Sequence, residues 1–583
     1  MVLEANTRQQ PLAFDSNRAA DSYRFPGSST RAWKPTSPQI RMMIILSLLA
    51  FMVALDSCII VTALHAIAFD LELTTNESFW VGTSFLLSSA VTMPFVSSAS
   101  DAFGRTKSLI TSVVLFTLGT VFCCLAHSSP PLLIGRVFQG IGAGGIMSIT
   151  LMIYADIVPL RDRPKWYGVV LASWAGGNCI GPALGGFIAQ KTTWRWIFYV
   201  MFPFCILGIT AIPWFFPKEH SLRSEQRVAR LDWIGGVFFV SSTTLFLLSI
   251  SWGGVQFEWS SAGTLAPLCL GSAGLIWTWF YEQRWAENPV LQQRLFTSAS
   301  QLSTYICGSL QGIVLYGQLY YIPFYFTSVK TYLPLKTGVS TLPVMLIAVP
   351  SSIVAGVFVT RTKNYRLPIW IGWTLTAVGS GLTLLFDTNT RTSEWAAILV
   401  VVGFGHGAVL NAQSFATQAM CKHGDETLAA AMYTFTRQFG MALGVGIGGS
   451  AFQNAMSLKL RQMDLPTELA KDSEAYVTEL HKLADGSTLK GQILEAYVFG
   501  FRGVYLFFTC ISGLAFLLSL LMKHFDMDGE VDEQRGLDRS IGLTRHPYIS
   551  PPMPQYLEVG SRDELLAQIA DPPSALMIRR ART

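Results

Sequence analysis

Charge is scarce in this chain of 583 residues: Asp, Glu, Lys and Arg make up 14%, against 51% hydrophobic residues. The apolar residues fall in recurring blocks of roughly 18–25, each long enough to cross a bilayer, and the mean hydropathy is +0.40. These features describe a polytopic membrane protein. The opening stretch lacks a short apolar segment followed by a small-residue cleavage site; its first forty residues are polar and rich in Ser, Arg and Pro. No removed leader is expected, and the first span itself directs insertion. Cysteine is sparse as well. The nine cysteines, at 58, 123, 124, 179, 205, 269, 307, 421 and 510, sit almost entirely in apolar blocks, without zinc spacings or obvious extracellular pairs. They read as small core residues, and no metal or cofactor is called for. The soluble segments also lack a P-loop, a metal-ligand cluster and a nucleophile elbow, which argues against an enzyme and against ATP-driven transport. The net charge of +5 forms no basic stripe, so topology explains it better than a nucleic acid does.

Blocks long enough to cross about 30 Å of hydrocarbon predict fourteen spans. They lie near 42–67, 79–99, 108–126, 132–155, 166–189, 195–216 and 232–252, then near 263–281, 302–328, 337–359, 367–386, 395–420, 428–455 and 500–522. Loops after even-numbered spans carry most of the Lys and Arg, among them Arg105, Lys107, Arg161, Arg163, Lys165, Arg361, Lys363 and Arg366. Such loops face the cytoplasm, although Lys191, Lys330 and Lys336 depart from the pattern. Both termini are therefore expected in the cytoplasm. Asn76-Glu77-Ser78 is a glycosylation acceptor sequence on the expected outside. The polar segment 457–496 is expected to form short amphipathic helices there. Residues 1–40 and 526–583 read as cytoplasmic tails that lack the apolar periodicity to fold alone.

Glycine recurs with one spacing in two distant places: Gly177, Gly181, Gly185 and Gly186 match Gly440, Gly444, Gly448 and Gly449. Glycine at every fourth position clears a helix face for another backbone, and matched halves suggest a transporter that rocks about a central site. Three further motifs accompany the glycines. Ser97-Ser-Ala-Ser-Asp101-Ala-Phe-Gly104-Arg105-Thr-Lys107 joins spans two and three, with Ser97 and Thr106 at positions where the related pattern has glycine and a basic residue. Arg136-Val-Phe-Gln139-Gly140-Ile-Gly142 lies in span four, and Gly177-x-x-x-Gly181-Pro182-x-x-Gly185-Gly186 in span five. Together with Asp156-Ile-Val-Pro-Leu-Arg161-Asp-Arg163, Trp194-Arg-Trp-Ile-Phe-Tyr199, Leu231-Asp-Trp-Ile-Gly235 and Trp252-Gly-Gly254, these resemble the major facilitator superfamily. The likeness is greatest to its fourteen-helix drug:proton antiporter branch, especially fungal efflux pumps, and covers about residues 41–525.

The resemblance implies an all-α membrane protein with a six-helix bundle over 41–217, a linker and two accessory helices over 218–300, and a second bundle over 301–525. It implies that Asp101, Gly104 and Arg105 form a cytoplasmic latch, and that Gly177, Gly181, Pro182, Gly185 and Gly186 form the antiporter glycine motif. Asp56, near the middle of span one, has no counter-charge among its helical neighbours, and a carboxylate at that depth costs roughly 2.5–3.5 kcal/mol on insertion scales. Arg136 should lie within about two turns of its depth, so the two are the expected proton-coupling pair. Gln139, Tyr316, Tyr320, His406, Asn411 and Gln413 are the expected cavity residues, while Arg437 is expected to brace the second glycine face. The function implied is proton-coupled efflux of a small amphipathic compound, such as a drug, a toxin or a secondary metabolite, by a monomer in the plasma membrane. Its expected partners are that solute, protons and the lipid bilayer. The residues leave two rivals open: uptake of a small solute, and a transport-dead sensor whose tail signals.

Overall fold

The computed structural model describes residues 34–523 apart from 160–161, 217–230, 255, 287–288, 423, 472 and 484–486. The N-terminal tail up to residue 33, the start of the linker and the C-terminal tail lie outside the described residues. Fourteen long helices are present among those described. The first are α1 (Ser37–Asp70), α2 (Thr75–Phe103), α3 (Arg105–Cys124), α4 (Ser129–Ile157), α5 (Arg163–Lys191) and α6 (Phe202–Phe215, after a turn at Trp196–Tyr199). Next come α7 (Trp233–Trp252), α8 (Ala262–Arg284), α9 (Ala299–Ser328) and α10 (Pro334–Thr362). The last are α11 (Arg366–Leu382), α12 (Thr392–Ala419), α13 (Glu426–Gln462) and α14 (Thr488–Ser519).

Eleven of these helices are long and apolar enough to cross a membrane. The other three, α5, α9 and α13, are also long, at 29, 30 and 37 residues. They carry glycines, hydroxyls and amides where the others carry leucine. Hydropathy alone therefore supports eleven spans rather than the expected fourteen. Several helices outrun their apolar blocks, most of all α14, which starts at Thr488 with the polar turn Lys490–Glu495. Side chains set the boundaries. Thr74 and Glu77 form a capping box at the start of α2, as do Ser298 and Gln301 at the start of α9. Gly104, at φ 102°, takes a positive-φ extended backbone open to glycine, which lets α2 stop and α3 begin with one residue between them.

Helices α1–α6 pack mainly on one another, and α9–α14 do the same; they are called the first and second halves below. α7 pairs with α8 and also touches α2 and α13, so it leans on both halves. α8 turns Leu270, Ile276 and Phe280 outward, a cost in water and an ordinary choice against lipid. Because the helix count is even, the start of α1 and the end of α14 share one side of the bundle, the tail face; the opposite side is the far face.

The repeated glycines do the same job in each half. A Cβ at Gly177 would stand 2.5 Å from the Phe51 carbonyl oxygen, and one at Gly181 3.0 Å from the Cys58 Cβ, so α5 lies flush on α1. In the second half Gly440 and Gly444 lie against the carbonyls of Ser309 and Ile313, so α13 lies flush on α9. α5 also crosses between halves: a Cβ at Gly186 would stand 2.5 Å from the Pro334 oxygen of α10, while Gly338 of α10 faces the Pro182 carbonyl.

The segment after α13 folds back onto the far face as the short helices Glu468–Lys471 and Ser473–Lys482. Ala470, Val477 and Leu480 are buried against the second half. Tyr497 of α14 donates to the Ser473 carbonyl at 2.5 Å, His481 meets the Thr327 carbonyl at 3.0 Å, and Tyr320 of α9 donates to Glu474 Oε1 at 2.8 Å. Burial pushes the Glu474 carboxyl above its ordinary 4.5, against the opposing pull of the Tyr320 hydrogen bond.

Two outcomes are expected. Gly185→Ala sets a Cβ against the Ile59 carbonyl, which belongs to backbone and cannot swing away. Such overpacking costs about 1–3 kcal/mol and should lower the thermal midpoint in detergent, whereas Gly513→Ala, with nothing within 4 Å, should not. An acid with a raised folded pKa favours the folded contact while protonated. Docking of 468–482 should therefore be strongest below pH 4.5 and weaken as pH rises through the higher Glu474 value. Hydrogen exchange in that segment, corrected for its intrinsic pH dependence, should show this trend, and Glu474→Gln should abolish it.

Candidate functional site

The first half is built around ions that water does not reach. Asp56 of α1 and Arg136 of α4 are each 0% exposed, with Arg136 Nη1 2.7 Å from Asp56 Oδ2. Their depths match because α1 and α4 cross side by side, as their sequence positions require. Arg136 Nη1 also donates to Gln139 Oε1 at 2.8 Å, and its Nε to the Val81 carbonyl of α2 at 3.0 Å. Its guanidinium carbon lies 4.4 Å from the ring centre of Phe85. Gln139 Nε2 completes the cluster, reaching Asp56 Oδ1 at 3.1 Å and Thr120 Oγ1 of α3 at 3.0 Å. Four helices thus meet through one buried pair, whose solvation cost is offset only by this many contacts.

Beside the cluster lies a small cleft, called the cavity below, between the halves. Ser57, Cys58, Val61 and Leu64 of α1 line it, with Ser78, Thr83 and Leu86 of α2, Tyr316, Leu319 and Tyr320 of α9, and Val445 of α13. These positions fall in the far-face part of each helix. The walls are apolar surface broken by hydroxyls and one thiol, with no charged side chain among the lining residues. That composition suits flat, partly polar molecules. Tyr316 donates to Ser57 Oγ at 2.6 Å, a direct bond between α9 and α1 across the site. Cys58 donates to Asn178 Oδ1 at 2.9 Å, and Thr62 to the Pro182 carbonyl at 2.8 Å, tying the α1 wall to the glycine motif of α5.

The tail face is shut. Arg105 bonds Asp101 at 2.7 Å and Asp156 at 3.2 Å, and Thr427 of α13 donates to the other oxygen of Asp156 at 3.0 Å. Arg163 of α5 reaches Gln418 of α12 at 2.9 Å. The basic loop after α2 is therefore joined to the second half through Asp156, a residue whose part in the latch the sequence did not reveal.

Of the expected cavity residues, Tyr316 and Tyr320 line the cavity and four do not. Gln139 belongs to the ion cluster. His406 sits inside the second half, 2% exposed, with Nε2 2.8 Å from Gln318 Oε1. Asn411 donates to the Ser352 carbonyl and Gln413 to the Thr304 carbonyl, each at 3.0 Å. The correction has one cause: buried amides and imidazoles seek a neighbouring backbone partner, and polarity in a sequence does not reveal which face supplies it. Asn76 falls in the first turn of α2 and its side chain lies outside the described residues; Ser78, the last residue of that acceptor sequence, is buried and lines the cavity. Asp56 touches its guanidinium but is walled off from the cavity, which its neighbour Ser57 lines instead. Sequence reasoning missed Ser57, Ser78 and Thr83, because serine and threonine in such helices commonly bond their own preceding turn, as Ser57 does to the Ala54 carbonyl.

Residues 46–445 match the family profile of the Major Facilitator Superfamily. The chain is 37% identical over 497 residues to an "MFS transporter L2" of Phoma sp., covering 84% of this chain and 83% of that protein. It is 29% identical over 540 residues to an "MFS-type efflux pump LUC4" of Fusarium sp., covering 91% and 94%. Among solved structures, a bacterial homologue of the human lysosomal transporter Spinster, inward-facing and occupied, matches with a TM-score of 0.53 at 15% identity, covering 84% of this chain and 97% of that one.

Loss of either ion should have unequal effects. Arg136→Gln strands the Asp56 carboxylate in a dry site and should cost about 3–5 kcal/mol. Asp56→Asn should cost less, since the guanidinium keeps Val81, Gln139 and the Phe85 ring. The double variant should recover part of the Arg136→Gln loss. Thermal midpoints of the three purified variants check the ordering.

Proposed function

The chain belongs to the major facilitator superfamily, and on that premise we propose that it exports small amphipathic organic compounds in exchange for protons by alternating access. One observation carries the reading: a fully buried carboxylate–guanidinium pair lies one residue along α1 from a side chain that closes the cavity between the halves. Likeness to a fungal protein named as an efflux pump supports the direction of transport.

In the proposed cycle residues 41–217 and 301–525 are the two moving bundles, and α7 and α8 within 218–300 are accessory. The tail face, rich in Lys and Arg, lies in the cytoplasm by the positive-inside rule, and the protein works as a monomer in the plasma membrane. Solute enters between the halves when the Arg105–Asp156–Thr427 and Arg163–Gln418 contacts part. Its arrival breaks the Tyr316–Ser57 bond, and the form that binds it is the one in which Asp56 is paired with Arg136. While paired, the carboxylate stays ionised; separated in a dry site, it takes up a proton. After solute has left on the far side, movement of α1 parts Asp56 from Arg136 and a proton enters from that side; return of the pair with the tail face open expels it into the cytoplasm and readmits solute. One proton moving down ~1 pH unit and ~100 mV delivers about 3.7 kcal/mol, enough for roughly a 500-fold gradient of a neutral solute. A single titrating carboxylate is sufficient.

Proteoliposomes with an imposed pH gradient test the scheme. Wild-type protein should accumulate rhodamine 6G against its gradient. Asp56→Asn should still exchange the dye down a gradient yet lose all pH-driven accumulation; undiminished accumulation would remove Asp56 from the coupling.

A further inference from the structure

Outside the ion cluster and the latch, another buried cation lies deep in the bundle. Arg437 of α13 is 3% exposed. Arg136 is matched by Asp56, Arg105 by Asp101 and Asp156, and Arg163 by the Val158 and Ala155 carbonyls and Gln418. Arg437, by contrast, has no carboxylate within ion-pair distance among the described residues. Its charge rests on two rings and a hydroxyl: the guanidinium carbon is 5.2 Å from the Trp174 ring centre and 5.8 Å from that of Tyr433, and the guanidinium is hydrogen-bonded to the Tyr433 hydroxyl. Its Nε has no acceptor. The glycine face it was expected to brace needs nothing from the guanidinium, since only the Arg437 backbone carbonyl faces Gly312.

A second orphan donor lies against the same tyrosine. Gln311 of α9 is 0% exposed, and its Oε1 accepts from Tyr433 Oη at 2.9 Å, but its Nε2 has no acceptor. Two buried donors without acceptors, one of them charged, converge on Tyr433. A buried unpaired cation is costly, and an oxyanion would relieve both donors at once. The place is also right. Gln311 is five residues before Tyr316 on α9, about 7.5 Å nearer the tail face at 1.5 Å per residue. Trp174 belongs to α5 in the first half, so the guanidinium sits at the seam that must open.

We propose that Arg437 and Gln311 bind the acidic group of the transported compound, a carboxylate or an acidic phenol or enol, on the tail-face side of the Tyr316–Ser57 contact. The inference rests on the export reading and names its substrate class: amphipathic organic acids. Trp174 and Tyr433 flank the group and stack on its conjugated part. Opening of the tail face lifts Trp174 away with α5 and admits the anion. Closure returns the ring and leaves the apolar body of the solute facing the hydroxyl-lined cavity.

Fluorescein, an organic anion, serves as the probe, with purified full-length protein in detergent. Arg437→Met and Gln311→Leu should each weaken fluorescein binding, Arg437→Met by roughly 10–100-fold. Ligand-free Arg437→Met should be at least as heat-stable as wild type, because it removes a charge that nothing in the chain neutralises. A purely structural arginine would give the reverse. Wild type that does not bind fluorescein, variants that bind it undiminished, or an Arg437→Met protein that is markedly less stable or fails to fold would each overturn the proposal. Wild-type transport of rhodamine 6G reads the export function separately. Dye transport without fluorescein binding sinks the anion site alone, whereas absence of both sinks the export reading as well.

Discussion

A carboxylate and a guanidinium, both sealed from water, fix the first half. In a bilayer interior neither ion is tolerable alone, and the pair is tolerable only because Gln139, Thr120, the Val81 carbonyl and the Phe85 ring surround it. The network sets the depth and rotation of α1 against α2, α3 and α4. With α1 placed, Ser57 and Cys58 face the cavity and Asp56 faces away from it. A change in the pairing of Asp56 is therefore a change in the position of a cavity wall, although no solute touches the carboxylate.

In the proposed cycle the glycine faces make that movement a property of whole bundles. Backbones in contact leave no side chains to deform, so α1 and α5 move together, as do α9 and α13. α5 is pressed against α10 as well, through Gly186 and Gly338. The seam between halves thus has two kinds of contact: smooth glycine faces, across which helices can tilt, and discrete polar bonds at Tyr316–Ser57, Thr427–Asp156 and Arg163–Gln418, which either hold or break. Interfaces of this kind favour distinct states over gradual deformation. The short helix carrying Glu474 adds a further bond at the far side of the same cavity, within the second half, through Tyr320.

What could be read from the chain divides by the range of the physics. Glycine spacing was legible because the exclusion of Cβ acts at single positions on one helix, and Gly177–Gly181 and Gly440–Gly444 lie against the backbones that spacing implies. The neighbouring depths of Asp56 and Arg136 followed from helix rise and direction alone. The cavity was harder to read. His406, Asn411 and Gln413 are polar in an apolar helix, and that leaves open whether water, a solute or a neighbouring carbonyl satisfies them; here the partners are Gln318, Ser352 and Thr304. Asp156, Gln311 and Glu474 acquire their roles only from helices distant in sequence, so no local pattern announces them. Hydropathy undercounts the spans at α5, α9 and α13 because residues that permit close packing and bonding between halves are not the residues that dissolve in lipid.

The central claim is that the buried carboxylate changes its protonation as solute binds. Its most direct measure is proton exchange with lightly buffered solvent, followed by a pH indicator on adding a transported solute that does not itself titrate. The account predicts release of about one proton per bound molecule at a pH where the separated acid is protonated, accompanied by loss of a protonated-carboxyl band in infrared difference spectra that is missing when residue 56 is asparagine. Binding with no proton exchanged, or the same band and stoichiometry without Asp56, would contradict it.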